Sequence, residues 1–379
     1  MIKNEYKFFI KLKMNDLQKI FEHSPNEDYN MISFMENSLI TLDFIMKHPR
    51  LIENVTYFQF NPNCRMDFVD KFPDVVIDEY AEYELIKHVK FEEACANPVK
   101  YASYFAFTQN PDITFEMIKN NPQYKWNTYF FVFNINATWE NLIELANSDL
   151  KSFAKHKNFD ISILRDNPQI KFNHSTLTLN ENLKLEDLES LGIKIDWGIV
   201  NQRSDITVDF LRKHKNKVRI SPVTIQSNNI TLADIENNLD LAWCWDSMHA
   251  RKDINIDFIR RHKDKNFDWH MVSASDKFTM DDIINNPDLP WCFKGISSNR
   301  NVTIEFILEN LDEPFDICEL SCNSAITMQM VRDNPNIKWN FQWLSMNQNL
   351  TYEFYCEYID EDWEYDFISS NFFDLARCG

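Results

Sequence analysis

Glycine is nearly missing from this chain. Four glycines occur in 379 residues, at 192, 198, 295 and 379. Neither G-x-G-x-x-G nor G-x-x-x-x-G-K-[ST] can be formed from them, which excludes a dinucleotide-binding fingerprint and a Walker loop. Collagen-like sequence is excluded, and a glycine-turned β-meander is disfavoured. Long hydrophobic runs are missing too. No window of 18 uncharged apolar residues occurs, so no transmembrane helix is expected. The first residues, MIKNEYKFFIKLKMND, break their apolar patch with lysines and lack the apolar stretch and cleavage site of a signal peptide. Cations are in deficit: 39 Lys and Arg face 58 Asp and Glu, a formal charge of −19. That balance repels a phosphate backbone, so nucleic acid is opposed as a partner, and it favours partners with basic faces.

What is present is apolar and asparagine-rich. Apolar residues make up 44% of the 45.3 kDa chain, including 31 phenylalanines, which is enough for a core and excludes global disorder. The length fits two or three ordinary domains or one elongated architecture. Eight cysteines in so long and apolar a chain point to reduced thiols in a cytosolic setting rather than to secretion.

Self-similarity organises the sequence. NNITLADIENNLDLAWCW begins at 228, DKFTMDDIINNPDLPWCF at 276 and SAITMQMVRDNPNIKWNF at 324. Their anchors Thr231, Thr279 and Thr327 belong to a frame of fourteen: 41, 65, 90, 114, 138, 160, 184, 207, 231, 255, 279, 303, 327 and 351. The spacing is 24 residues from 207 onward and 22 to 25 before it. The positions one before and four after the anchor are apolar in all fourteen copies.

Each slot has a physical reading. Eleven anchors are Thr, Asp or Asn, side chains that cap a helix N-terminus; the exceptions are Arg65, Lys90 and Lys184. The flanking apolar pair has the spacing of a hydrophobic staple. The second residue after the anchor is acidic in eleven copies, an anion placed against the helix dipole. This predicts a helix A of about two turns. It stops near position plus eight, where seven copies carry proline. An aromatic pair follows, twelve and ten residues before the next anchor: Trp243/Trp245, Trp291/Phe293 and Trp339/Phe341, with Phe267/Trp269 and Trp363/Tyr365 alike. These aromatics, with the apolar residue at minus seven, predict a short helix B and the structural core of the repeat. Neither helix is long enough to be stable alone, so neighbours must stack. A leucine-rich repeat has a similar length, but its strand signature is absent and the capping chemistry is helical. The expected fold is therefore all-α: an α-solenoid of about 14 tandem 24-residue two-helix repeats over residues 31–363, forming an elongated superhelix. A capping segment is expected at 1–30, with Phe8, Phe9, Ile10 and Leu12, and another at 364–379, with Phe367, Phe372 and Phe373.

The block NPDLPWCFKGISSNRNVTIEFILEN resembles the N-P-D-x-P-W-x-W-x-x-[IL]-S-x-N-x-N-[IV]-T-x-E repeat of uncharacterised proteins of mimivirus-type giant DNA viruses. The match is closest over 276–351 and weakens toward the N-terminus. The resemblance implies a repeat fold and a viral, infected-cell setting. It implies no catalytic residues.

Chemistry-bearing residues fall into the repeat frame. Cys244 and Cys292 share one slot, Cys95 and Cys356 another, and Cys64 fills a staple position. Cys318 and Cys322 are the one close pair, and no histidine lies within forty residues to complete a zinc site. His214 and His262 are equivalent positions, expected at the surface. No H-E-x-x-H or G-x-S-x-G occurs. Of six N-x-[ST] sequons, four are the Asn two before a capping Thr. No cofactor, metal or catalytic residue is expected. One basic feature stands out: Arg212, Lys213, Lys215 and Arg260, Arg261, Lys263 fall on equivalent positions two repeats apart, a possible edge for an acidic partner or a solvated edge that pairs with neighbouring acids. The expected function is a non-enzymatic scaffold for a protein partner, with helix A and the loops as the contact surface. The alternative is a self-associating structural component of a virion or viral factory.

Overall fold

Helix A starts where the capping side chains place it. In the computed structural model, which describes residues 16–86, 89–96, 107–123, 126–145 and 148–371, all eleven Thr, Asp and Asn anchors accept a backbone N–H from the first turn. Examples are Thr41 from Phe44, Thr303 from Phe306 and Thr351 from Phe354. Thr231 and Thr279 form full capping boxes with Asp234 and Asp282. The Thr231 N–H and hydroxyl hold the Asp234 carboxyl below the usual carboxylate range. Arg65 and Lys184 make no side-chain cap. The helices are shorter than the two turns expected, mostly six residues, as in Ile304–Glu309 and Met328–Asp333. The reason is an active stop. The Asn at plus seven turns its amide back onto helix A, Asn334 to the Met330 carbonyl at 2.9 Å and Asn286 to the Asp282 carbonyl at 2.7 Å.

The first aromatic of each pair then fastens the turn. The indole N–H of Trp243, Trp291, Trp339 and Trp363 donates to the carbonyl five residues back, at 2.8, 2.9, 3.1 and 2.8 Å. The second aromatic opens helix B, as in Trp269–Ala274 and Tyr365–Ser370. Among the described residues five of the helices B are 3-10, including Val55–Phe60 and Trp245–Ala250. Their important side chains stand three apart, at minus ten, minus seven and minus four, and a three-residue turn places such side chains on one line.

The minus-four residue joins one repeat to the next. The Asn347 amide donates to the carbonyls of Ser321, Asn323 and Ile326, in the preceding repeat, at 2.8, 3.0 and 3.1 Å, and its oxygen accepts the Asn349 N–H. Asn61, Asn134 and Asn299 repeat the pattern. Asn at minus two adds an outer rung, as when Asn349 donates to Ser324 and Ile326. These rungs satisfy carbonyls that short helices leave orphaned, and they account for the four cap-adjacent sequons.

Three substitutions in the ladder keep its chemistry. Arg203 and Arg251 replace Asn and reach the equivalent carbonyls, each also paired with the Asp two residues on. His156 copies Asn as well: its Nε2 donates to the Asn134 carbonyl at 3.0 Å and its Nδ1 accepts the Asn158 N–H at 3.1 Å. That arrangement needs neutral imidazole. Burial holds the His156 pKa below the ordinary histidine range. Stability is therefore full above the unfolded histidine pKa, about 6.5, and is lost as pH falls from there toward the folded value. His156→Asn is expected to keep the rung and to reduce the fall in urea midpoint between pH 7.5 and 5.5. An unchanged fall would refute the assignment.

The chain divides into two compact units, Met1–Ile77 with Asn255–Gly379, and Asp78–Ile254. Among the described residues no strand is present. In the first unit the segments before 77 and after 255 meet through the same joint. Asn37 donates to the carbonyls of Ser369 and Asn371 at 3.2 and 3.1 Å, as Asn371 does to Ser345 and Asn347 at 2.8 and 3.0 Å. Ser24 hydrogen-bonds the Tyr355 hydroxyl at 2.7 Å, and the Tyr29 and Tyr365 rings lie 5.2 Å apart. Repeats that an elongated superhelix would hold apart are thus in contact within this unit. Residues 364–371, expected as part of a cap, run in the helix-B frame and continue the ladder. Phe8, Phe9, Ile10, Leu12, Phe372 and Phe373 lie outside the described residues.

Candidate interaction surface

The two helix types divide the charge between them. Every helix A carries two or three charged residues, as in Val208–Lys213 (VDFLRK) and Leu185–Ser190 (LEDLES). Among the described helices B, Glu79–Ile86 apart, each carries at most one, and Val55–Phe60 (VTYFQF), Thr128–Phe133 (TYFFVF) and Phe341–Leu344 (FQWL) carry none. Helix A turns its ions to water because the first turn needs acids and the last accepts bases. Helix B has its polar needs met by the ladder and leaves uncharged side chains outside.

Those outside side chains are large. In the unit Asp78–Ile254, Tyr129, Phe133 and Ile135 are 47, 48 and 51% exposed. The half-buried Phe130 links the two rings, with centroids 5.0 Å from Tyr129 and 6.0 Å from Phe133. Leu179 and Val223 are exposed on later helices B of that unit. In the other unit Ile32, Tyr57, Phe60 and Met271 are exposed on helices B and Met346 in the turn after one, and Trp343 and Phe367 stand half-buried 5.8 Å apart. Apolar residues exposed on helix A sit among ions, as Ile143 does beside Glu140 and Glu144. Contiguous aromatic surface of this kind marks contact sites.

The residues singled out in the sequence take definite places. Arg212 pairs with Asp240 at 2.9 Å and Lys213 with Glu189 at 2.7 Å. Lys263 pairs with Asp288 at 3.1 Å, and Arg260 approaches the same carboxylate at 3.9 Å. These cations are engaged with neighbouring repeats. Lys215 and Arg261 are exposed. Of the aromatics expected in the core, Trp243 is buried, while Trp245, Trp269, Trp291, Phe293, Trp339 and Phe341 are half-buried. The deepest places go to residues such as Phe58, Phe258 and Leu344, all fully buried.

His214 and His262, expected at the surface, are buried. They pack with tilted rings against Phe210 and Phe258, centroids 4.5 and 4.6 Å apart, filling the slot that Asn holds in other repeats. Burial pushes the Cys64 thiol up to about 12 and the Cys322 thiol up to about 11, so neither is a thiolate at neutral pH. Among the described residues no group of three or more His, Cys, Asp or Glu could hold a metal ion, and no helix is long and apolar enough to cross a membrane.

The ladder was the main element missed in the sequence. Its signal was present, an Asn four before the anchor in most copies, but its partners are carbonyls, which carry no sequence mark. Compared with known protein families, with characterised proteins and with solved structures, the chain matches none.

Proposed function

We propose that the chain is a non-enzymatic protein–protein interaction scaffold, an α-solenoid of about fourteen two-helix repeats, acting inside an infected cell as its resemblance to giant-virus repeat proteins implies. One observation carries the reading: the ions are gathered on helix A and the exposed aromatics on helix B. This moves the contact surface from helix A, where sequence patterning put it, to helix B. An aromatic face with Phe133 and Tyr129, the latter hydrogen-bonded to the Asp149 carboxylate, suits a protein partner, since aromatic anchors supply most contact energy. A phosphate backbone would find few cations there.

Phe133→Lys with Tyr129→Lys tests this. Both side chains are about half exposed, so stability should change by roughly 0.5 kcal/mol or less for each. Affinity purification from infected cells should recover a stoichiometric partner with the native chain and lose it with the variant. Ile143→Lys on helix A should retain it. No stoichiometric partner with the native chain would overturn the proposal.

A second reading, self-association in a virion or factory, is favoured by one feature. The joint between residues 16–37 and 345–371 is built like a joint between sequence neighbours but is held without a short connection. A second copy could exchange into it. Light scattering over a wide concentration range decides: strictly monomeric protein rules this reading out.

A further inference from the structure

Five repeats carry a cation five residues after the helix-A cap, and four of these find a counter-ion in the next repeat. Lys119 meets Glu144 at 3.1 Å and Arg332 meets Glu357 at 2.7 Å, six after the next cap. Arg212 meets Asp240 at 2.9 Å and Arg260 meets Asp288 at 3.9 Å, nine after it. Arg165 fills the same slot after the Asp160 cap. The two acid positions that follow are Ser190 and Ile193. Among the described residues Arg165 has no ion pair.

The same pair of repeats departs from the frame a second time. Where Arg332 stands, the next helix A ends in Tyr358, whose ring packs 5.5 Å from Phe341 and 4.5 Å from Phe354, leaving a cleft of about 250 Å³. The residues equivalent to Tyr358 and Phe341 are Leu191 and His174. Leu191 is followed by Gly192 at φ 69°, a left-handed turn that carries the chain out of the helix. The cleft here is about 520 Å³, walled by Leu164, Ile170, Phe172 and Ile193, with Arg165, Lys171 and His174 around it. All of this lies within the unit Asp78–Ile254.

We infer that this cleft is a docking site for an acidic segment of a partner protein, which seats one aliphatic or aromatic side chain in the cleft and sets a carboxylate on Arg165. The incoming carboxylate takes the place of the acid this repeat lacks. Charge complementarity selects the occupant. In a chain of net charge −19, Arg165 is a cation whose repeat equivalents are neutralised internally, and Lys171 and His174 stand beside it. The cleft volume is in the range that holds a side chain or small ligand. The choice of a protein occupant rests on the scaffold reading; the shape and charge of the cleft do not.

The probe is N-acetyl-phenylalanine, which joins an aromatic group to a carboxylate, compared with its amide by calorimetry and ligand-observed NMR on the full chain. The acid is expected to bind saturably and the amide at least about tenfold more weakly, the equivalent of one charge-assisted hydrogen bond. Ser190→Glu restores the counter-ion at an exposed position and should weaken the acid by a similar factor. Leu191→Tyr restores the aromatic and should abolish binding of both. Arg332→Ala, already paired elsewhere, should change nothing. Equal binding of acid and amide, indifference to Ser190→Glu, or no binding up to the solubility of the probe would each overturn the site. Capture of a protein partner by a chain that ignores the probe would sink this site alone. Binding of the probe with no protein captured would keep the cleft and sink the scaffold reading.

Discussion

Arg203→Ala is expected to destabilise the unit Asp78–Ile254 by about 3–5 kcal/mol, the range for removing one partner of a buried charged network. Arg203 is 1% exposed. Its guanidinium donates to the carbonyls of Thr178, Asn180 and Leu183 at 2.7, 2.9 and 2.9 Å, and to Asp205 through two nitrogens at 2.7 and 2.5 Å. Alanine strands three carbonyls and a carboxylate and leaves a cavity. Arg203→Asn puts back the residue that other repeats use and should recover much of the loss. Denaturant midpoints for the two variants decide the matter. If asparagine proves no better than alanine, Arg203 is not a rung of the ladder, and its weight comes from packing or from Asp205 alone.

Asn347→Asp should be comparably costly, about 3–5 kcal/mol at neutral pH, because it sets a buried anion against three carbonyl oxygens. Asn347→Ala removes the donors without adding charge and should cost less, about 2–3 kcal/mol. The aspartate variant has a distinctive pH dependence. Its folded pKa would stand above the unfolded value of about 3.9, so the penalty is complete above the folded pKa and shrinks as pH falls toward the unfolded one. Asn347→Asp should therefore approach Asn347→Ala in acid and diverge from it at pH 7. Parallel curves for the two would show that the donors do not face those carbonyls.

Much of the helix layout was legible residue by residue. Thr41, Thr114, Thr138, Asp160, Thr207, Asn255 and Thr351 all cap as their types and spacing suggested, because a cap bond spans three residues and needs no tertiary partner. Trp243 was placed correctly in the core, whereas Trp291 and Trp339 are half-buried, each with its indole N–H on a carbonyl five residues back. His214 and His262 looked like edge residues beside their lysines and arginines. Only the packing of Phe210 and Phe258 against them shows why they are inside. The basic edge was read from charge along the chain, whereas its neutralising acids, Asp240 and Asp288, lie a repeat away.

The scarcity of glycine takes its meaning from the same division. Sequence alone determined that this chain has no phosphate loop, that its helices are short and capped by threonine, and that proline and asparagine end them. Those are local matters, fixed by bonds that reach four or five residues. Tertiary structure decided the rest: that asparagine also binds one repeat to the next, that residues 37 and 371 share a rung, and that Arg165, among the described residues, has no ion pair. Each depends on groups about 24 residues apart or farther, and on backbone carbonyls that every residue possesses alike. A repeat period announces that such neighbours exist; it does not say which atoms of them meet.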